Sequence, residues 1–394
     1  MRVAFVINSL GAGGTERSTA VLLPHLRDRG VEPVVVALAH RDEGDEQAVI
    51  DAGFEVHVIG TTAAPGRIRA VRALLQATPF DVVHTAIFEA DITGRVAALG
   101  TGLPVITSLV NTPYAPARLR DPNVSRGKLE IVRAIDGVTG RLLTTRFHAV
   151  TEGVAEDAVS SLRIPRDRIT VVERGRDPEA LGRRTAPRRD RVRAALGWAA
   201  DRSIVLAVGR EEHQKGHVHL VRALGLLAER RPELDVCIAG RSGNASRAID
   251  EAVAALAPAV RARVHRLGHR DDVADLLVGA DVFVMPSLYE GTAGAAIEAL
   301  ALEVPVVATD LQGTHGLLID GENAILVPVA NDRDLATAVT SVLDDRDAAA
   351  ERVAAGRKTF VARFTLDRSA DAMAALYREV ADAGRHPRRR RSRA

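Results

Sequence analysis

The sequence predicts an α/β protein made of two doubly wound domains in tandem. Three observations carry that prediction. Short Val/Ile-rich runs alternate with helical patterns along 394 residues, enough chain for two ordinary domains. The runs are apolar throughout, as strands are when helices cover both faces of a parallel sheet. The alternation pauses once, in a polar Arg-rich stretch, and then restarts.

In the first half, VAFVIN, EPVVVAL, FEVHVIG, DVVHTA, PVITSLV, RFHAVT and RITVVE read as strands. Amphipathic stretches such as TERSTAVLLPHLRDRG and ADITGRVAALG lie between them as helices. The segment RGRDPEALGRRTAPRRDRVRAALGWAADR (174–202) is the candidate interdomain connection. Strands resume at SIVLAVG, LDVCIAG, ARVHRLG, DVFVMPS and VPVVATD, and TLDRSADAMAALYREVADAG reads as a closing helix. No repeat of 20–50 residues is visible, which argues against a solenoid. The expected boundaries are 1–185 and 186–364 for the two domains, 365–384 for the closing helix and 385–394 for a basic disordered tail. Ligands in such sheets bind at the carboxyl ends of the strands, and two facing domains would make a cleft there.

Composition narrows the classes of function. Apolar content of 46% and charged content of 26% describe a folded, soluble protein. No run reaches the ~18–20 apolar residues of a membrane span. The start, MRVAFVINSLGAGG, reads as a first strand rather than a signal peptide, so a cytoplasmic location is expected. The single cysteine, Cys237, excludes an internal disulfide and reads as buried strand filler. Removing the six arginines of the tail RHPRRRRSRA from the net charge of +2 leaves −4. The tail reads as a solvated end, or as a contact with an anionic membrane surface that would hold the protein peripherally at the inner face. Aromatics are 3% with no aromatic-plus-basic stripe, so no nucleic-acid partner is expected.

Three stretches carry candidate chemistry. The first is SLYEGTAGAAIEALA (287–301), with Glu290 in a strand-to-helix turn and Glu298 eight positions on, roughly 12 Å along a helix. The glycines admit a ligand to the main chain, and the free N–H groups of the first helical turn suit phosphate. Glu298 has Ala295, Ala296, Ile297, Ala299 and Leu300 around it, an awkward setting for a merely solvated acid. Two hydroxyl-accepting carboxylates flanking a phosphate site suit a ligand with a sugar at one end, a diphosphate in the middle and a ribose at the other. The second stretch is AVGREEHQKGH (207–217), where Arg210 and Lys215 follow a strand and could converge on that diphosphate. Only Lys128, Lys215 and Lys358 among 53 basic residues are lysines, so Lys215 reads as a chosen compact cation. The third is INSLGAGGTERS (7–18), which fails as a dinucleotide fingerprint because Glu16 stands where the last glycine belongs. His84 and His315 are candidate cleft residues. Asp332-Arg-Asp334 and Asp345-Arg-Asp347 open helical patterns, so they read as helix-start acids rather than metal ligands.

Taken in order, GGTERS, RITVVERGRD, VGREEHQKG, the block VHRLGHRDDVADLLVGADVFVMPSLYEGTAGAAIEALA with its full E-x7-E spacing, and DGENAILVP resemble the retaining nucleotide-sugar-dependent glycosyltransferases of family 4. The resemblance runs over most of the chain and implies the GT-B fold, two Rossmann-like domains facing a cleft. It implies that Arg210 and Lys215 grip the donor diphosphate, Glu290 holds the transferred sugar and Glu298 the ribose. Thr292, Ala293 and Gly294 would offer main-chain groups to sugar and phosphate, Gly268 and His269 would lie against the base, and Gly13 and Gly14 would close over the phosphates. The family commonly has a histidine after the fifth strand. Here the chain reads SLVNTPY, and Asn111 can orient a hydroxyl but cannot act as a base. The implied activity is transfer of a sugar from a UDP- or GDP-sugar, with retention, to a glycan, lipid-linked or small-molecule acceptor, with no metal and no cofactor. The polar loop region 112–137 is the candidate acceptor surface, and with the neighbouring helical stretch through Arg146 it is rich in arginine. A nucleotide-sugar epimerase and a non-catalytic nucleotide-sugar or glycan-binding protein are the alternatives.

Overall fold

The computed structural model describes residues 1–385 apart from Ala12, Thr61, Thr62, Pro122 and Thr292, with Arg385 described in its backbone only. Thr292 and the arginine run of the tail therefore lie outside the described residues.

The chain forms two units. The first comprises Met1–Tyr114, Ser125–Gly175 and a final segment from Leu366; the second comprises Ala115–Val124 and Arg176–Thr365. In the first, strands β1 (Arg2–Ile7), β2 (Glu32–Ala37), β3 (Val56–Val58), β4 (Val82–Ala86), β5 (Val105–Leu109), β6 (Arg146–Ala149) and β7 (Ile169–Val171) make one sheet in the order β3-β2-β1-β4-β5-β6-β7. Every pairing is parallel. Helices cover both faces, so β4 and β5 are buried at every position, which is why their sequences VVHTA and VITSL show no polar alternation.

The second unit repeats the plan with β8 (Ser203–Val208), β9 (Leu234–Ala239), β10 (Val264–Gly268), β11 (Val282–Met285), β12 (Val306–Thr309) and β13 (Ile325–Val327), ordered β10-β9-β8-β11-β12-β13 and again parallel. Two apolar clusters fill its two faces. The helix Gly294–Ala301 is built of small residues and sits deep in one of them. Gly356 of the helix Arg346–Arg363 comes so close that a Cβ there would lie 2.7 Å from Leu300. Cys237 is buried in β9, and burial pushes its thiol up to about 12.

The Arg-rich connecting stretch is ordered. It holds the helices Pro178–Leu181 and Ala186–Leu196, and Arg188 and Arg193 bind Asp275 and Asp281 of the second unit. Trp198 packs on Gly279, where a Cβ would be 2.9 Å from the indole. The final helix, Leu366–Arg385, belongs to the first unit, where Met373, Leu376, Tyr377 and Val380 join Val3, Leu26, Val82 and Ile106 in one cluster.

Among the described residues, no helix is long and apolar enough to cross a membrane.

Candidate functional site

Each sheet reverses its winding once, between β1 and β4 in the first unit and between β8 and β11 in the second. At such a switch point the loops leaving neighbouring strands run to opposite sides and open a crevice at the carboxyl edge. In the second unit those loops are Gly209–Gly216 after β8 and Pro286–Ala293 after β11.

The two loops meet through side chains 75 residues apart. Lys215 Nζ donates to Glu290 Oε1 at 2.5 Å, and Ser287 Oγ donates to the same oxygen at 2.9 Å. Gln214 Nε2 donates to the other oxygen, Oε2, at 3.4 Å and to the Tyr289 carbonyl at 3.0 Å. The Leu288 N–H returns a bond to Gln214 O at 2.8 Å. Glu290 is buried, so its charge is held by the ammonium and these donors rather than by water. Two glycines make the approach possible. Gly216 has φ 63°, and a Cβ there would stand 2.0 Å from the Pro286 carbonyl; a Cβ on Gly313 would stand 1.9 Å from the Glu290 carbonyl.

Glu298 lies on the helix Gly294–Ala301 and is half-buried. Arg176 Nε donates to Glu298 Oε1 at 2.7 Å. The Arg176 guanidinium fills the space over Gly294, where a Cβ would lie 2.4 Å from Nη2. The backbone fixes Arg176 in turn, since its N–H donates to Phe364 O at 2.9 Å. Ala293, which caps this helix, is buried.

The remaining expected residues of the second unit are spread along the same carboxyl edge. Arg210 follows β8 but is exposed and bonds Glu212 at 3.3 Å, so it does not join Lys215 on Glu290. Between them Glu211 is buried. Burial works to raise its carboxyl, but hydrogen bonds from Arg266 and Ser246 prevail and hold it below the usual range. Gly268 closes β10 with φ 66°, and His269 beyond it is exposed, 3.3 Å from Asp271. His315 is exposed and 2.9 Å from Asp310. The two Asp-Arg-Asp stretches open helices: Asn331 caps the one beginning at Asp332, and Asp345 caps the next through the Ala348 N–H.

In the first unit Gly13 is the residue before the helix Gly14–Arg27, and the Glu16 carboxylate folds back over it. Asn111 is exposed just past β5. A small pocket of about 50 Å³ lies at the carboxyl edge of this sheet, lined by Thr15, His84, Ser108, Val110, His148 and Arg174 among others. His84 is therefore a buried residue rather than an open cleft residue. It sits in a hydrogen-bonded chain: Tyr377 OH to His84 Nδ1 at 2.6 Å, His84 Nε2 to Ser108 Oγ at 2.7 Å, Ser108 Oγ to His148 Nδ1 at 2.7 Å and His148 Nε2 to Val172 O at 2.9 Å. The Val172 carbonyl can only accept, so His148 carries its proton on Nε2 and every proton in the chain points toward that carbonyl. Two neutral histidines satisfy the whole row. Burial pushes His148 down to about 4 and His84 well below its usual value.

Sequence reasoning missed two residues in particular. Arg174 donates to Thr15 Oγ1 at 2.9 Å and to Gly14 O at 3.4 Å, fastening the first turn of the first helix. Arg176 holds Glu298. Both stand in RITVVERGRD, one of the stretches that carry the family resemblance, and each borders Gly175 where the chain passes from one unit to the other.

Comparison with known proteins bears on the family and the fold. The family described as Glycosyltransferase Family 4 matches residues 12–180, and that described as Glycosyl transferases group 1 matches residues 188–359. The chain is 29% identical over 317 residues to alpha-maltose-1-phosphate synthase of Mycolicibacterium smegmatis, covering 76% of this chain and 79% of that one. It is 30% identical over 324 residues to a D-inositol 3-phosphate glycosyltransferase of Xylanimonas cellulosilytica, covering 76% and 72%. Among solved structures, Anabaena HepE in complex with UDP and glucose superposes with a TM-score of 0.84 at 18% identity, over 96% of this chain and 100% of that one. Sucrose-phosphate synthase of Thermosynechococcus elongatus gives 0.81 at 20% identity, over 97% and 100%. Two family descriptions that tile the chain, relatives matched over more than two thirds of their length and this shared fold lead to one conclusion: the chain belongs to the family 4 glycosyltransferases of the GT-B fold.

Proposed function

We propose that this glycosyltransferase moves a hexosyl unit from a UDP- or GDP-linked sugar to a small phosphorylated acceptor, with retention of configuration. The observation that carries the donor half is the ion pair between half-buried Lys215 and buried Glu290 at the switch point of the second sheet, with Glu298 on the helix that follows. UDP is the first base to test, because it is named in the complexes of structural neighbours. The phosphorylated acceptor rests on the names of the relatives, alpha-maltose-1-phosphate synthase and D-inositol 3-phosphate glycosyltransferase.

In this reading Glu290 accepts hydrogen bonds from the hydroxyls of the transferred sugar, and Glu298, held at one oxygen by Arg176, uses the other for the ribose. The main chain at Ala293 and Gly294 presents the N-terminus of a helix to the diphosphate. Lys215, joined by Arg210 on swinging inward, offsets the charge that grows on the departing diphosphate. These cations supply what a divalent metal would, so the mechanism includes no metal step. The bond from the anomeric carbon to phosphate oxygen breaks as the acceptor oxygen bonds on the same face, and the acceptor proton passes to the leaving phosphate. Asn111 orients an acceptor hydroxyl in the first unit, and Gly268 and His269 border the base in the second. Such a donor implies a cytoplasmic location.

Thermal unfolding with UDP, GDP and NAD⁺ in turn, in EDTA, tests the donor. A ligand at 100 times its dissociation constant adds about 2.7 kcal/mol, and one nucleoside diphosphate is expected to raise Tm in the wild type but not in Glu298→Gln. Stabilisation by NAD⁺ alone would sink the reading. The matching nucleotide sugar with D-inositol 3-phosphate or a hexose 1-phosphate then tests transfer, and the anomeric proton coupling of the product tests retention.

A further inference from the structure

Lys215 reaches Glu290 at the end of a flexible four-carbon stem, so its ammonium goes where the stem rests. It rests on the Gly209 peptide, where the loop leaves β8. A Cβ on Gly209 would lie 3.1 Å from Lys215 Cδ, 3.2 Å from Cε and 3.3 Å from Cγ, so the stem runs across the glycine on its way to the carboxylate.

The Gly209 peptide is in turn held on three sides. Its N–H donates to Ala239 O at 2.9 Å. Its carbonyl lies so close to Gly240 that a Cβ there would stand 1.9 Å from the oxygen. The third hold is His217, the first residue of the helix His217–Leu227, whose Nε2–H donates to Gly209 O at 3.0 Å. This bond ties the start of the loop to the residue just past its end, and Lys215 stands in the chain between them.

The imidazole is there for that one bond. His217 is buried, and a carbonyl only accepts, so the ring proton sits on Nε2. Nδ1 is then a bare lone pair, buried and without a partner among the described residues. Burying a polar atom unpaired is destabilising, a cost that an aliphatic side chain of similar volume would avoid. Packing alone therefore does not account for a histidine here, and the Nε2–H does. The ring also stays neutral. Burial pushes it down to about 4 against the pull of the Gly209 carbonyl, and the Lys215 charge adds to the effect of burial.

We infer that His217 is a positioning residue of the donor site: its Nε2–H pins the Gly209 carbonyl, and the pinned peptide is the floor that aims Lys215 at Glu290 and at the donor diphosphate. The part played toward the diphosphate rests on the role proposed above for Lys215; the hold on Lys215 itself does not.

The chain has only three lysines, and Lys128 and Lys358 are exposed, so a lysine-Nζ magnetic resonance spectrum of the full chain isolates Lys215. An ammonium held in an ion pair keeps its protons long enough to be seen, and one free in water does not. The wild type is expected to give one strong signal, which Lys215→Met removes. His217→Gln, whose amide nitrogen can stand where Nε2 stood, should keep it. His217→Leu and the shorter His217→Asn should weaken it about fivefold. A wild type without the signal, or Leu and Asn variants that keep it at full strength, would overturn the inference. One wild-type measurement stands apart from any folding defect in the variants. The ring nitrogens of His217, identified by their loss in His217→Gln, should show a proton on Nε2 and a bare Nδ1 near neutral pH. A charged ring, or a proton on Nδ1, would equally overturn it.

Titration with UDP and GDP in turn separates this inference from the donor reading. Lys215→Met is expected to weaken whichever nucleotide binds about tenfold, and His217→Leu about threefold. The double variant should bind no more weakly than Lys215→Met, because His217 acts through Lys215. Losses that multiply would mean that His217 acts elsewhere, and the inference would fall. If neither nucleotide binds, or Lys215→Met binds as the wild type does, the donor reading falls instead, while the lysine spectrum still decides what holds Lys215.

Discussion

Arg176 shows how much one residue outside the three stretches of candidate chemistry can carry. Its Nε occupies Oε1 of Glu298, and both side chains are mostly buried, so the pair fixes the carboxylate and not merely its charge. Arg176→Ala is expected to raise the donor KM about tenfold, near the 1.5–3 kcal/mol of a charged hydrogen bond, while kcat changes less. Arg176→Lys should recover only part of this, since an ammonium lacks the planar fork that spans Glu298 and the space over Gly294. An unchanged KM in both variants would show that Glu298 needs no holder. The row from Tyr377 to Val172 gives a second expectation. Between pH 6.5 and about 4 the unfolded chain protonates His148 and the folded chain does not, so stability should decline as pH falls through that window, by on the order of 3 kcal/mol for this residue. Asp91 works oppositely: burial raises it to about 6, so the folded chain keeps a proton there that the unfolded chain loses above its ordinary value. The readout is therefore a difference. The slope of Tm against pH between about 4 and 6.5 should be less positive in His148→Gln than in the wild type, and parallel curves would mean that His148 titrates normally.

The loop carrying Lys215 depends on how closely two turns can pass. Gly216 is left-handed, with φ 63°, and has the Pro286 carbonyl where its Cβ would be. Gly216→Ala would incur ~1–2 kcal/mol for the backbone alone and must also push the loop off Pro286. That movement separates Lys215 from Glu290, so Tm and kcat should fall together. Gly127→Ala, at a helix start with open space around it, is the control and should be neutral or slightly stabilising. If both alanine variants behave alike, the contact with Pro286 is not what positions Lys215. The strands and most helices were legible because apolar runs and helical periods are local signals. The left-handed turn at Gly216 was not, because the obstructing carbonyl lies 70 residues further along the chain.

For the whole molecule, the final helix is the part whose position its own sequence hides. Its amphipathic pattern predicts a helix that packs on something, and the structure gives it to the first unit, where Tyr377 also donates to His84. A chain ending at Thr365 would uncover Val3, Leu26, Val82 and Ile106 and leave His84 without its donor. That loss is comparable with the 5–15 kcal/mol stability of an ordinary domain. Such a truncation is expected to leave the first unit unfolded, read as lost near-UV ellipticity and insolubility. A truncation that melted like the full chain would show the helix to be an accessory.

Local patterns dictate the kind of element at each stretch, the two α/β halves and the E-x7-E spacing, since period, burial and composition act over a few residues. Which side chains meet depends on the packed chain. Lys215 reaches Glu290 only because β8 lies beside β11 in the sheet. Arg210, five residues from Lys215 and matched by the same motif, turns to Glu212 instead. Arg176 reaches Glu298 because the Phe364 carbonyl holds its backbone in place. His84 ends its strand like a site residue but is taken up by Tyr377 and Ser108 from distant parts of the chain. Strand order and the return of the final helix are long-range choices, set by how whole apolar faces are covered, and no short stretch of sequence encodes them.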